Sequence, residues 1–161
     1  MADIVEELMK AYGIPPADIV DSPIMKSISI VVSKERLKDI IQYLIRRTEY
    51  THLITITAID QGGGIEVCYH LSNGPKVATI RTHLTDNELR LPTITDISLG
   101  ASLYEREVHD LFGVTFEGHS NLDPLFLPDN WPSEIRPFRK EWTLERIRSR
   151  VDDCESDLNG D

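Results

Sequence analysis

The chain has 161 residues and a formal net charge of −10, from 17 basic and 27 acidic side chains. This length predicts one domain with a substantial core, and the excess of acid excludes a general positive field for nucleic acid or anionic lipid. No apolar run approaches the roughly 20 residues of a membrane span, and two distant cysteines cannot hold an iron–sulfur cluster by themselves. The acidic N-terminus and the few cysteines favour a reducing cytoplasm over export.

The first half of the sequence alternates helical and strand-like patterns. A capping-box spacing of Asp3 and Glu6 predicts a short first helix that ends at Gly13. Alternation at 28–32 predicts a strand, and Ser33 then caps a second helix with apolar residues at helical spacing. Glycine-containing turns separate three more predicted strands, which form an antiparallel meander and span 52–59, 65–71 and 76–82.

The second half holds one more helix and a proline-rich segment. Residues 84–95 have no clear period, which predicts mostly loop. A second capping-box spacing, Ser102 with Glu105, predicts a helix over 103–112 that a glycine ends. Prolines then recur every few residues, which predicts an extended, irregular arm over 118–140.

These elements predict an α+β fold, a two-layer sandwich with helices on one face of an antiparallel or mixed sheet. We expect an α+β domain over residues 1–117 and an extended, proline-rich docking arm with an acidic tail over 118–161. Six basic and two acidic residues at 136–150 precede five acidic residues at 151–161. The arm is therefore predicted to be basic before its acidic end.

The densest group of ionisable side chains lies on the predicted third helix, from Glu105 to Asp110. Helical spacing pairs Glu105 with His109 and Arg106 with Asp110, and places Glu107 near Asp110. Three interpretations stay open: an ion-paired helix face, a partner-binding face and a catalytic acid/base pair. Nearby cations would keep the carboxylates ionised, which favours the ion-paired face.

Other catalytic and cofactor sites find no support in the pattern. Glu107, His109 and His119 with Asp110 match no compact metal-ligand spacing. The sequence has no glycine-rich phosphate loop and no Gly-x-Ser-x-Gly elbow. Residues 136–142 interleave cations with aromatic side chains, and the acidity of the preceding chain favours a protein interface there over a nucleic-acid site. We therefore expect no catalytic, cofactor-binding or metal-binding residue.

Three sequence elements follow one another in the second half: LYEREVHDLFGVTFEGH at 103–119, LFLPDNW at 125–131 and RPFRK at 136–140. In this order and spacing they closely resemble the 30-kDa subunit family. That family comprises the 30-kDa subunit of respiratory complex I, the NADH-quinone oxidoreductase, and its relatives in membrane-bound hydrogenases and archaeal deazaflavin dehydrogenases. Asp123 departs from the pattern, because the family usually has a basic residue or proline there.

The resemblance implies a cofactor-free structural and assembly subunit in the peripheral arm of a membrane-bound, ion-translocating oxidoreductase. It would dock on the hydrogenase-like large subunit of the 49-kDa type, near the acceptor site on the cytoplasmic face of the cell membrane. Iron–sulfur clusters and flavin are expected on partner subunits, and no independent activity is expected of this chain. The implied interface and motif residues are Glu105, Arg106, Glu107, Asp110, Phe112, Gly113, His119, Pro128, Trp131, Arg136, Pro137, Arg139 and Lys140.

Three alternatives remain open at this stage. One is a subunit of a membrane-bound, energy-converting hydrogenase, and the compact length favours the shorter archaeal dehydrogenase or hydrogenase-like members. Another is a small soluble acid/base or metal-dependent enzyme that uses Glu105, Glu107, His109 and Asp110. The third is a free-standing adaptor module, which shares the docking chemistry but has no respiratory partner.

Overall fold

The computed structural model describes residues 2–22, 24 and 26–158, with side chains for 5–22, 24 and 26–152. Its helices are α1 (Ala2–Tyr12), α2 (Lys34–Arg47), α3 (Ala101–Phe112) and α4 (Leu144–Leu158). Its strands are β1 (Ile19–Ser22), β2 (Ser27–Val31), β3 (His52–Asp60), β4 (Gly64–Asn73), β5 (Lys76–Thr85), β6 (Arg90–Pro92) and β7 (Thr115–Glu117). These elements confirm the predicted α+β fold.

Five strands form one mixed sheet in the order β1-β2-β5-β4-β3. The antiparallel meander of β3, β4 and β5 is confirmed, and β2 joins β5 in parallel. Helix α2 connects β2 to the meander, because a parallel neighbour requires a crossover rather than a tight turn. The short strands β6 and β7 pair in parallel as a separate ribbon beside α3.

One face of the sheet carries the core. Alternation along β4 places Ile65, Val67, Tyr69 and Leu71 on this face, and all four are buried. Helix α2 packs on β5 and α3 packs on β3, and the buried side chains of both helices belong to the same apolar cluster. The two-layer arrangement is thus confirmed, and burial of this apolar surface is the main source of its stability.

The opposite face of the sheet is polar. The His70 ring lies between the hydroxyls of Thr57 and Thr79, with 3.0 Å to each. On the neighbouring part of this face, Glu66 accepts a 2.7 Å hydrogen bond from Arg81 on β5. These cross-strand contacts satisfy polar groups that have no helix above them.

Helix starts and ends agree with most of the predicted punctuation. Helix α2 begins directly after Ser33, and α1 ends before Gly13, whose φ is +59°. The capping box of Asp3 and Glu6 lies outside the described residues, because the Asp3 side chain is not among them.

The second predicted capping box is wrong. Helix α3 starts at Ala101 with Gly100 as its N-cap, so Ser102 lies inside the helix. Glu105 does not fold back on the helix start but bonds to the preceding loop, at Ile94 and Thr93. A buried loop offered better donors than the helix end, and the local motif lost to this tertiary contact.

Four short or isolated elements differ from the prediction. Strands β1, β6 and β7 and helix α4 were not expected from the sequence, and residues 84–95 contain the end of β5 and all of β6. Residues 118–143 contain neither helix nor strand, as their prolines predict. None of the helices in the described chain is both long and apolar enough to cross a membrane.

We expect Gly64→Ala to destabilise the fold by roughly 1–3 kcal/mol. Gly64 has a φ of +156°, and a Cβ built there lies 2.1 Å from the carbonyl oxygen of Leu84. Gly63→Ala is the matched control, because a Cβ at this neighbouring position has no atom within 4 Å. Urea unfolding followed by circular dichroism measures both, and equal stabilities for the two variants would contradict the prediction.

Candidate functional site

The charged side chains of α3 reach out to other chain segments instead of pairing with each other. Among the described residues, neither of the predicted pairs, Glu105 with His109 and Arg106 with Asp110, is present as an ion pair. The predicted ion-paired helix face is therefore wrong. Glu105 bonds to the segment before α3, and Arg106 and Asp110 bond to the segment after it.

Glu105 is fully buried and fastens the loop before α3. Its Oε1 accepts the backbone N–H of Ile94 at 2.8 Å, and its Oε2 accepts the hydroxyl of Thr93 at 2.5 Å. Burial raises the pKa of Glu105 to about 6, although these two hydrogen bonds act to lower it. Burial, and then the charge of Glu105, raise the pKa of the neighbouring Tyr69 phenol.

Asp110 holds the start of the irregular arm. One carboxylate oxygen, Oδ2, accepts the backbone N–H groups of Leu125 at 3.1 Å, Phe126 at 2.8 Å and Leu127 at 3.0 Å. Burial alone acts to raise the pKa of Asp110, but the three N–H donors and the charge of Arg136 bring it below its ordinary value. Three successive N–H groups around one anion form a nest, which fixes the backbone of the arm here.

Two arginines add to this attachment by binding backbone carbonyls. Arg106 donates from Nε and Nη2 to the carbonyl of Asp123, at 3.1 and 3.0 Å, and from Nη2 to that of Pro124 at 2.9 Å. Arg136 donates from Nη1 to the carbonyl of Asp110 at 3.1 Å. The guanidinium groups therefore satisfy acceptors at the end of α3 and in the arm.

The end of α3 is built to let the arm pass close by. Gly113 ends the helix with a φ of +84°, and a Cβ there would lie 3.3 Å from the Arg136 side chain. His109 donates from Nδ1 to the carbonyl of Val114 at 2.8 Å, which satisfies an acceptor just beyond the helix. Glycine is required here both for the left-handed backbone and for the space.

Two further side chains hold local turns. His119 accepts the N–H of Asn121 at Nδ1 over 3.1 Å, which leaves Nε2–H to donate to the Ser102 hydroxyl oxygen at 3.1 Å. Trp131 donates its indole N–H to the carbonyl of Ile135 at 3.0 Å. His119 therefore connects the chain after β7 to the start of α3, and Trp131 closes a turn within the arm.

Asp60, at the end of β3, holds the far end of the arm. It accepts Arg139 Nε and the backbone N–H of Lys140, each at 2.9 Å, and the N–H of Gly62 at 2.7 Å. Arg139 also contacts Asp86 at 2.5 Å. Burial acts to raise the pKa of Asp60, but the two backbone N–H donors and the Arg139 charge bring it below its usual value.

The geometry does not assemble a reactive group from the predicted acid/base cluster. Glu105 and Asp110 are buried and saturated with hydrogen bonds from different segments, and Glu107 has no hydrogen bond to any described residue. Within the part of the chain that the structure describes, no three His, Cys, Asp or Glu side chains are grouped to hold a metal ion. What the site does is fix the path of an irregular segment against a folded domain.

The sequence of this region has known counterparts. Residues 30–148 match the family described as "Respiratory-chain NADH dehydrogenase, 30 Kd subunit". The chain belongs to this family. The match confirms the resemblance, and it includes most of β2, all of β3 to β7, α2 and α3, the whole irregular segment and the start of α4.

Relatives of the 30-kDa subunit family occur both as separate and as fused chains. The C/D subunit of the NADH-quinone oxidoreductase of Nitrosospira multiformis is 34% identical over 151 residues, which are 81% of this chain and 25% of that one. This chain thus spans a quarter of the C/D relative. The C-type subunit of the F(420)H(2) dehydrogenase of Methanosarcina mazei is 30% identical over 127 residues, 76% of this chain and 78% of that one.

A solved structure shows the same fold. A chain of the membrane-bound sulfane sulfur reductase, an archaeal respiratory membrane complex, superposes with a TM-score of 0.77. The alignment covers 94% of this chain and 91% of that one at 24% identity, so the likeness concerns the fold alone.

The predicted site residues divide into two groups in the structure. Those with side-chain bonds inside the chain are Glu105, Arg106, Asp110, His119, Trp131, Arg136 and Arg139. Pro128 and Lys140 are exposed, while Glu107, Phe112, Gly113 and Pro137 are half-buried. Phe112 packs edge-on against Phe138, with 5.6 Å between ring centroids.

Sequence reasoning missed the partners of these residues. Asp60 and Asp86 bind Arg139 across 79 and 53 positions of sequence, and Thr93 and Ile94 bind Glu105 from a stretch predicted as loop. A single acid at a strand end carries no local signal of a distant arginine. Only the recurrence of buried carboxylates beside irregular segments links these sites.

We expect Asp110→Ala to lower stability by about 1–3 kcal/mol, because it leaves three backbone N–H groups without their acceptor. Limited proteolysis should then cut within 118–143, and urea unfolding gives the loss. Glu107→Ala, on the same helix, is the control and should change neither. Since the pKa of Asp110 is lowered on folding, its contribution is present above the ordinary pKa of 3.8 and is lost as pH falls below it.

Glu105→Gln should flatten the pH dependence of stability between pH 4.5 and 6. The folded pKa of about 6 lies above the ordinary value of 4.5, so the protonated form favours folding. The contribution of Glu105 to stability is therefore highest below pH 4.5 and falls as pH rises, by about 2 kcal/mol in total. The amide oxygen of Gln keeps the bond to Ile94 and has no proton to lose.

Urea unfolding at a series of pH values measures this difference. Glu107→Gln serves as the matched control and should follow the profile of the unsubstituted chain. Parallel profiles for Glu105→Gln and the unsubstituted chain would show that Glu105 does not titrate in this range.

Proposed function

We propose that this chain is a structural and assembly subunit of a membrane-bound, ion-translocating oxidoreductase of the complex I type. It docks on the hydrogenase-like large subunit, of the 49-kDa type, near the acceptor site on the cytoplasmic face of the membrane. The observation that carries this proposal is the C/D relative, in which the part similar to this chain is 25% of one polypeptide. Two units in one polypeptide meet at high effective concentration, and a separate chain must make the same contact by its own affinity.

The attachment of the arm supports a docking role. Asp110 and Asp60 hold the two ends of the irregular segment, and Arg106 and Arg139 support them. A segment ordered before binding loses less conformational entropy when a partner covers it. The motif residues are thus proposed to shape the arm and to present it to the neighbouring subunit.

Electron transfer is assigned to other chains in this proposal. Iron–sulfur clusters and flavin lie on partner subunits, and this chain contributes by fixing their relative positions. It has no catalytic activity of its own. A membrane-bound hydrogenase subunit would use the same docking chemistry with a different set of partners.

Native mass spectrometry after mild detergent extraction from the native membranes tests the proposal. The tagged chain should be recovered with a large subunit of the 49-kDa type and with iron–sulfur proteins. The electron-input subunit in that assembly distinguishes an NADH or deazaflavin dehydrogenase from a hydrogenase. Recovery of the chain alone, from membranes and soluble fraction alike, would overturn the proposal.

A further inference from the structure

The basic side chains of the arm are largely engaged within the chain. Arg139 is only 12% exposed and binds both Asp60 and Asp86. Arg136 donates to the carbonyl of Asp110. These cations hold the arm to the domain, so most of the affinity for a partner must come from another surface.

Three large apolar side chains stand exposed along the outer side of α3. Leu99 is 86% exposed, Leu103 is 58% exposed and Phe126 is 62% exposed. Leu99 precedes Leu103 by one helical turn, and Asp110, which holds the backbone of Phe126, follows Leu103 by two turns on the same side. We name these three residues, Leu99, Leu103 and Phe126, the α3 ridge.

Acidic side chains border the α3 ridge. Glu107 is half-buried one turn after Leu103, and Asp123 and Asp129 are exposed on the arm on either side of Phe126. None of these three carboxylates forms an ion pair with another described residue. The surface is therefore an apolar strip with unneutralised negative charge at its edges.

We propose that the α3 ridge is the surface through which this chain docks on the large subunit of the 49-kDa type. The facing surface of that large subunit is an apolar patch bordered by Lys or Arg, because that chemistry covers the leucines and neutralises the carboxylates. This inference rests on the proposed function and adds the contact surface to it. A contiguous apolar strip with a polar rim is typical of protein interfaces.

The other exposed apolar side chains are placed less favourably. Val20 and Ile24 lie on and beside β1, at the sheet edge opposite to β3, on which α3 packs. Phe138 is already packed edge-on against Phe112. Among the described residues, the α3 ridge alone combines several exposed apolar side chains with an element that the chain holds rigidly at both ends.

The test compares two double variants of the tagged chain, expressed in the native cells and extracted in mild detergent. Leu99→Ser/Leu103→Ser removes most of the ridge, and Val20→Ser/Ile24→Ser removes as many exposed apolar side chains at the far edge. The ridge variant should recover at least about tenfold less large subunit, and the control variant should recover as much as the unsubstituted chain. Circular dichroism and urea unfolding of each chain confirm that it is folded.

A charge-reversal variant tests the rim independently of the apolar contacts. Glu107→Lys/Asp123→Lys should lower recovery of the large subunit most strongly at low ionic strength, because salt screens the new repulsion. Asp21→Lys, exposed on β1, is the control for a change of charge alone. Equal recovery for reversed and unsubstituted chains at every salt concentration would count against the acidic rim.

The outcomes separate the two proposals. If the unsubstituted chain brings down the large subunit and both ridge variants do so equally well, the α3 ridge is not the docking surface, although the proposed function stands. If the unsubstituted chain is recovered without a large subunit, the proposed function fails and the inference fails with it. Loss confined to the ridge and rim variants supports both.

Discussion

The Asp110 carboxylate determines where the irregular part of this molecule lies. A segment without helix or strand has no regular ladder for its backbone N–H groups, and each buried group needs an acceptor. One oxygen of Asp110 serves three successive N–H groups at 125–127. The carboxylate can do this only because α3 is in place, and Glu105 fixes the loop from which α3 starts.

The same chemistry recurs at the other end of the arm. Asp60 is 6% exposed and Asp110 is 3% exposed, and both accept backbone N–H groups of the arm beside an arginine. In each case hydrogen bonds and a neighbouring cation outweigh the cost of burial and bring the pKa of the carboxyl below its ordinary value. Glu105 is the exception, because its two hydrogen bonds come without an adjacent arginine and burial dominates its pKa.

Much of the fold follows from local patterns, whereas the contacts of the site do not. The meander, α2 and the span of α3 were predictable, since period and turn residues act over a few positions. Strands β6 and β7 have three residues each, too few to show a period. Helical spacing paired Arg106 with Asp110, but both found backbone partners in a segment that the sequence could describe only as irregular. The motif led correctly to the family, and its docking role stays a prediction.

The division between inner and outer residues gives the motif a physical meaning. Side chains that hold the arm are charged and matched to backbone groups of this chain, so their replacement alters the shape of the arm before it alters any contact with a partner. Side chains of the α3 ridge are exposed and apolar, so their replacement leaves that shape unchanged. A loss of assembly caused by Asp110 is therefore accompanied by a loss of stability, whereas a loss caused by Leu103 is not.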